Sequence, residues 1–289
     1  MEKIAIAGGS GLIGQALIPV LQAAGYDAFT LRRPYSFEAL SGVTAIINLA
    51  GENLSAGRWT IERKKKIIDS RVNSLATLHA LVSQKSSTVK TLISASAVGY
   101  YGSVTNDHIY SETDPAGNDF LAEVCREWES AADSFEPLGI RVVKVRIGVV
   151  LSEKGGALPK MMMPLKFGVS VPLGSGKQWL PWIDIDDLVR VFLHLLQHAE
   201  LSGPFNAVAP NPLTNSDFMK LLAKQKHRLF IPIGVPAFLL KVMLGEMAIV
   251  TLEGSRVSAE KLIKSGFEFQ VTKPQISSAL SALNWPVSQ

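Results

Sequence analysis

The run Lys3-Ile4-Ala5-Ile6-Ala7-Gly8-Gly9-Ser10-Gly11-Leu12-Ile13-Gly14 constrains this chain more than any other stretch. Ile4 to Ala7 are too few for a helix and show no polar alternation, the pattern of a strand covered on both faces of a parallel sheet. Glycines follow at once. Gly8, Gly11 and Gly14 form G-x-x-G-x-x-G, a spacing that permits a tight turn, close approach of backbone to a ligand, and close packing of a helix on a sheet. Leu12, Ile13, Ala16, Leu17, Val20, Leu21 and Ala24 then recur at the spacing of a buried helix face, and Gly25 is placed to cap it. In this order the elements aim unpaired N–H groups and a positive helix end at whatever sits above the turn, which favours a diphosphate. The reading is a dinucleotide site touching Gly8, Gly11, Leu12, Ile13 and Gly14, against a plain tight turn that uses glycine for its backbone alone. Pro19 is the misfit: inside a helix it removes the bond to the Gln15 carbonyl and should kink the axis.

A second strand, Asp27 to Leu31, ends in Arg32-Arg33-Pro34. At this strand end a dinucleotide fold meets the adenine ribose, where an acid selects NAD and an arginine accommodates the extra phosphate of NADP. Asp27 starts the strand and so lies at the wrong end to be the ribose acid. Arg32 and Arg33 therefore point to NADP(H) in preference to NAD(H), or else are a solvated pair in a loop. Between Pro34 and the next strand, Val43 to Asn48, there is room only for a short helix near Ser36 to Leu40. A parallel crossover needs a dozen or more residues, so a full extra strand and helix do not fit, and the sheet is expected to be trimmed at this edge.

The third strand runs into Leu49, Ala50 and Gly51, small enough for a cofactor to approach the backbone. Thr60 is a plausible cap for a long helix with Ile61, Ile68, Val72, Leu75, His79 and Val82 on its inner face. His79 reads as a packed histidine. The cluster Arg63 to Lys66 reads as a solvated face, and with no stacking aromatics beside it no nucleic-acid partner is expected. The next strand, Thr91 to Ser96, places Ser96, with Tyr100 and Tyr101 just beyond, where such sheets do their chemistry. Ser96 is also a natural turn serine, and either tyrosine could be a lid or stacking residue.

With 47% apolar and 19% charged residues the chain of 289 is globular, and its net charge of +4 suits an anionic ligand without naming one. The single cysteine, Cys125, cannot pair internally, which suggests a reducing compartment. Met1-Glu2-Lys3 leads straight into the first strand, so no secretory signal is expected. The apolar stretch Pro236 to Leu252 contains Lys241 and Glu246 and falls short of a membrane span. The expectation is a cytoplasmic protein with no membrane partner.

These blocks together resemble the extended short-chain dehydrogenase/reductases, which include the nucleotide-sugar epimerases. The likeness rests on Gly8-x-x-Gly11-x-x-Gly14, Asn48-Leu49-Ala50-Gly51 and the serine strand ending Tyr100-Tyr101-Gly102. Gly51-Glu52-Asn53, Arg58-Trp59-Thr60, Asp69-Ser70-Arg71-Val72, Trp182 to Asp187, Asn206 to Pro212 and Leu252 to Val257 are similar to an atypical subgroup, the NAD-dependent epimerase/dehydratase family. The resemblance implies an α/β fold: a Rossmann-like, doubly wound, mainly parallel sheet with a smaller C-terminal cap on the substrate side. It implies a cofactor-binding domain over 1–233, with substrate-side insertions after about 150, and a small module over 234–289. It also implies that Leu49, Ala50, Arg71 and Val150 border the cofactor, and that the substrate is a small molecule such as a nucleotide sugar. Arg71 taken alone is equally a surface charge or a snorkelling packer.

Active members of that family carry a tyrosine and, four residues on, a lysine that helps depress the phenol's pKa. Here the matching helix begins near Asn118 and has Phe120 and Val124 at those positions, and no Tyr-x-x-x-Lys occurs in the sequence. Ser96, Tyr100 and Tyr101 are the nearest candidates for catalysis, and Cys125 falls on a buried stripe with Leu121, Val124, Trp128, Ala132 and Phe135. In the second half, Arg146 is expected to bind a substrate phosphate or pin a loop, and Leu173 to Trp179 to form a hairpin turn. Asp184, Asp186 and Asp187 suit helix capping better than calcium, and His194 with His198 lack the glutamate of a zinc helix. No metal is expected.

Overall fold

The computed structural model describes residues 1–84 and 87–275; residues 276–289 of the expected C-terminal module lie outside the described residues. Its centre is one sheet of six strands: β1 (Lys3–Ala7), β2 (Asp27–Leu31), β3 (Val43–Asn48), β4 (Thr91–Ala97), β5 (Arg141–Ile147) and β6 (Gly203–Ala207). The spatial order is β6-β5-β4-β3-β1-β2 and every neighbouring pair is parallel. Only a single 3₁₀ turn, Glu38–Leu40, separates β2 from β3, so β2 is the sheet's edge, as the short connection requires. The chain steps outward from β1 to β2 and returns past β1 to β3. The crevice at the carboxyl ends of β1 and β3 is thus the point where strand order reverses, the place such sheets bind ligands.

Helices cover both faces. α1 (Leu12–Ala23) packs with α4 (Ile185–Gln197), and α2 (Ile61–Val82) packs with α3 (Phe120–Asp133). Between them Ile4, Ile6, Ile46, Ile47, Val143 and Val145 are wholly buried, which explains the unbroken apolar strands. Thr60, Asp119 and Asp184 cap α2, α3 and α4 by accepting from Arg63, Ala122 and Asp186 N–H groups. Pro19 lies inside α1 without ending it.

The phase of α2 departs from expectation. Its buried face is Ile67, Arg71, Ser74, Leu75, Leu78 and Val82, while Ile61 is exposed. Apolar periodicity misplaced the face because two of its inward positions are polar residues with partners in the loop and strand below. Past Ile147 the strand breaks at Gly148, where a Cβ would stand 2.4 Å from the Pro181 carbonyl oxygen. Val149–Leu151 then pairs with Trp182–Asp184.

The expected hairpin at Leu173 to Trp179 is not formed. Val169–Ser170 pairs with Leu229–Phe230 and Trp179–Leu180 with Leu213–Thr214, so the flanking segments find distant partners instead of each other. Together with α5 (Asn215–Gln225) these segments form a cap with its own core of Leu151, Leu158, Leu165, Trp182, Phe218 and Leu222. Further on, α6 (Ala237–Leu244) lies beside the 58–64 segment, where Arg58 donates to the Val242 carbonyl. Arg256–Val257 pairs with Ile109–Tyr110, and Leu262 and Phe267 join the main core. Asp187 does more than cap: it is buried and accepts from the Gln270 and Val271 N–H groups, tying the C-terminal segment to α4. Among the described residues no helix is long and apolar enough to cross a membrane.

Candidate cofactor cleft and the polar core beside it

At the crevice the glycines divide by role. Gly8 has φ +83°, and a Cβ there would stand 2.7 Å from the Leu49 carbonyl carbon and 2.8 Å from Ala50 N, so the turns after β1 and β3 meet backbone to backbone. At Gly14 a Cβ would stand 2.5 Å from the Gly9 Cα, which is how closely α1 presses on the turn. Gly11 differs. It is exposed, its φ of −76° is ordinary, and the Gly8 carbonyl oxygen at 3.3 Å is the one described atom a Cβ would crowd. The protein's own packing presses on this position through that single backbone oxygen, against the multiple overlaps below 3 Å at Gly8 and Gly14. Glycine is required less by packing here, whereas a ligand seated on the turn would require it.

The amino end of α1 is also left bare. Gln15 N–H makes the first bond of the helical ladder, to Gly11, so the N–H groups of Leu12, Ile13 and Gly14 precede it. No side chain caps α1 and its first turn has no acid, unlike α2, α3 and α4. That end of the dipole is free for an anion. Leu12 and Ile13 are half-buried. Leu12 lies under Gly155 and Gly156, whose Cβ positions would fall 3.6 and 3.3 Å from its methyls, and Gly156 sits beside the half-buried Val150. Across the crevice the Lys160 ammonium donates to Ser55 at 2.9 Å.

Arg71 shapes the other wall. It is buried in α2, donates to the Ile67 carbonyl at 2.9 Å and the Glu52 carbonyl at 3.2 Å, and lies 4.7 Å over the Trp128 ring. A Cβ on Gly51 would stand 3.0 Å from its guanidinium carbon. Burial lowers its pKa, with Cys125 and Glu52 opposing. Arg71 therefore holds the loop after β3 in place. Glu52 is tied in turn to Arg63 at 2.7 Å, a bond that keeps its carboxyl below the usual range. Below the loop, buried Asn48 accepts from Ser74 and donates to Ser94, and Ser74 bonds Tyr35, linking α2, β3 and β4 to the segment after β2. That segment and α2 enclose a cleft of about 890 Å³ lined by Arg33, Tyr35, Glu52, Lys65, Lys66 and Ser70. Arg32 and Arg33 are both exposed at the strand end, and of the two Arg33 lines the cleft.

The expected catalytic group is distributed differently. Ser96 is buried and donates to Glu129 at 2.7 Å, so its hydroxyl belongs to a buried network. Glu129 meets Arg146 in a two-pronged ion pair. Arg146 is buried, and its described partners are Glu129, Tyr101 and the Glu112 carbonyl, the arrangement of the pinning alternative. Burial works against its charge, but the Glu129 bonds prevail and its pKa is raised. Tyr101 donates to Asn206 at 2.7 Å and accepts from Arg146 at 3.0 Å. Desolvation pushes its phenol up to about 12, against the pull of Arg146 and Asn206, so it is a poor proton acceptor near neutrality. Tyr100 is half-buried and stacks on the Arg146 guanidinium at 3.4 Å.

Where the family places tyrosine and lysine, α3 is apolar. Phe120 packs edge-on against Trp59 at 5.0 Å, and Val124 is buried with Ile67 and Trp59. Cys125 is buried beneath, its thiol pushed up to about 12 by burial and by Glu129. Glu129 and Asn206 are the site residues that sequence reasoning missed. The available signal was helical phase, since Glu129 lies four residues after Cys125 on the buried stripe.

Comparison with known proteins agrees with this geometry. The model of the NAD dependent epimerase/dehydratase family matches residues 4–208, and that of a domain of unknown function, DUF1731, matches 235–283. The epimerase family protein YfhF of Bacillus subtilis is 36% identical over 97% of this chain and 97% of its own. The crystal structure of the human epimerase family protein SDR39U1 with NADPH superposes with a TM-score of 0.85 at 29% identity, covering 94% of this chain and 96% of that one. The Thermus thermophilus UDP-glucose 4-epimerase complex with NAD shares the fold, with a TM-score of 0.70 at 18% identity over 92% of this chain and 93% of that one.

Proposed function

Because this chain belongs to the NAD-dependent epimerase/dehydratase family, we propose that it binds NADP(H) in the crevice between β1 and β3 and acts as an epimerase or oxidoreductase on a nucleotide-linked or similarly polar substrate. The observation that carries the reading is Gly11: a glycine at a bare helix terminus, in an ordinary conformation, whose missing side chain serves the space above the turn. The N–H groups of Leu12, Ile13 and Gly14 would hold the diphosphate, and Gly8, Leu49, Ala50 and Gly51 would let the cofactor lie against backbone. Arg33, with Arg32 beside it, would meet the 2′-phosphate and favour NADPH. That human SDR39U1 was crystallised with NADPH supports this choice.

Bound there, a nicotinamide supplies hydride transfer at a carbinol carbon. This chain's residues must then move the hydroxyl proton and orient the substrate. Tyr100 is the candidate best placed for the proton, since Ser96 and Tyr101 are bonded into the buried network. Arg146 holds the Tyr100 ring from beneath and Glu129 holds Arg146.

A second reading, a protein that binds NADP(H) as a sensor without turnover, draws on the apolar α3 at Phe120 and Val124. Fluorescence titration with NADPH and NADH in parallel tests the cofactor reading, which predicts tighter NADPH binding. A turnover screen of the loaded protein with nucleotide sugars separates the two roles. Hydride exchange supports the enzyme; tight binding with no exchange across the screen selects the sensor.

A further inference from the structure

The cap carries the positive charge of this chain. Residues 154–183 contain four lysines, residues 218–245 contain four lysines and an arginine, and neither stretch has an aspartate or glutamate. The rest of the chain has 20 Lys and Arg against 25 Asp and Glu, so the modest net +4 conceals a basic cap on an acidic body. The two stretches are one structural unit. Val169–Ser170 pairs with Leu229–Phe230, Leu173 bridges Val235, and Leu158, Leu165, Phe218 and Leu222 share a core.

On this unit large apolar side chains stand in solvent. Phe167, Leu229, Ile233, Phe238, Val242 and Met243 are each between 64% and 81% exposed. In α6 the exposed Phe238, Val242 and Met243 share one side while Leu240 is buried, a stripe at i, i+4 and i+5 with no partner among the described residues. Three of these apolar residues follow an exposed cation directly: Lys166-Phe167, Arg228-Leu229 and Lys241-Val242. Large apolar side chains left this exposed on one structural unit point to an interaction site.

We propose that this face of the cap docks on an anionic lipid bilayer, its apolar side chains entering the headgroup boundary and its cations meeting lipid phosphates. Charge selects this occupant. Although Glu153, Asp217 and Glu246 border the two stretches, a second copy would set one predominantly basic surface against another, and like charges across an interface oppose association. A nucleic acid would gain nothing from Leu229, Ile233, Val242 or Met243, which have no ring to stack on a base and no donor for a phosphate. The lack of a spanning helix concerns crossing a bilayer, not lying on one.

The test is flotation of the full chain with vesicles of phosphatidylcholine alone, or with about one-third phosphatidylglycerol added to supply the surface charge. Binding to the anionic vesicles only, weakening as salt rises, is expected. Two triple variants, Phe238→Ser with Val242→Ser and Met243→Ser, and Lys166→Gln with Arg228→Gln and Lys241→Gln, should each bind about tenfold more weakly or worse, with melting temperatures unchanged. Equal binding to both vesicles, or to neither, overturns the proposal. So does a dimer in light scattering that the apolar variant dissolves, which would assign the face to self-association.

Discussion

Arg146 meets Glu129 with two parallel bonds, Nε to Oε1 at 2.8 Å and Nη2 to Oε2 at 2.9 Å, and both residues are buried between β5 and α3. Ser96 and Tyr101 each bond one partner of the pair, so four side chains from four elements depend on one another. Removing one charge leaves the other buried alone. Glu129→Ala should therefore cost about 3–5 kcal/mol in urea unfolding. Glu129→Leu combined with Arg146→Met should cost less than either single change, because it removes both desolvated charges together. A double variant as unstable as the sum of the singles would contradict this account.

Gly8 and Gly11 make a controlled comparison. Gly8→Ala imposes a side chain at φ +83° and drives it into the Leu49–Ala50 backbone. The conformation alone costs about 1–2 kcal/mol, and the overlap adds to it. Gly11→Ala keeps an ordinary conformation and should lose less than about 1 kcal/mol, the usual scale of a cap change. Its effect should fall on ligand binding, with NADPH affinity reduced tenfold or more, about 1.4 kcal/mol. Unimpaired NADPH binding by Gly11→Ala would remove the observation on which the proposed function rests.

The parallel sheet was legible because Ile4 to Ala7, Val43 to Asn48 and Thr91 to Ser96 are short apolar runs closed by small residues, and because the gap after Leu31 is too short for a further strand and helix. Local caps were legible for the same reason: Thr60 and Asp184 act within three residues of themselves. What sequence spacing missed depends on distant partners. Arg71 and Ser74 disrupt the apolar phase of α2, yet both are buried, Arg71 bonded to the Glu52 carbonyl and Ser74 to Asn48. Glu129 reads as a helix-surface acid until β5 brings Arg146 beside it. Ser96 lies on the expected strand end, but which neighbour accepts its hydrogen bond is set by α3.

The adenine-side arginines are separable. Both are exposed, but Arg33 lines the cleft beside α2 and Arg32 lies outside that lining. A charged hydrogen bond to the 2′-phosphate contributes about 1.5–3 kcal/mol. Arg33→Ala should thus weaken NADPH binding about 10- to 150-fold and leave NADH nearly unchanged. Arg32→Ala should weaken NADPH less. Equal losses for both cofactors would sink the 2′-phosphate role, and a larger effect at Arg32 would transfer it to that residue.

A last prediction concerns pH and the seam between α4 and the C-terminal segment. The His194 ring bonds Ser265 at 3.0 Å, lies 4.1 Å from the His198 ring and meets Phe267 edge-on. Burial first, then His198, lowers its pKa below the ordinary 6.5, while Ser265 and Glu200 oppose. The unfolded chain therefore takes up the proton before the folded one does. This contribution to stability is intact at neutral pH and falls away as pH drops below about 6.5 toward the lower folded value. The melting temperature should fall between pH 7.5 and 5.5, and His194→Gln, which keeps a polar partner for Ser265 but cannot take the charge, should lose less over the same interval. An identical loss in both proteins would show that some other group governs the acid response of this seam.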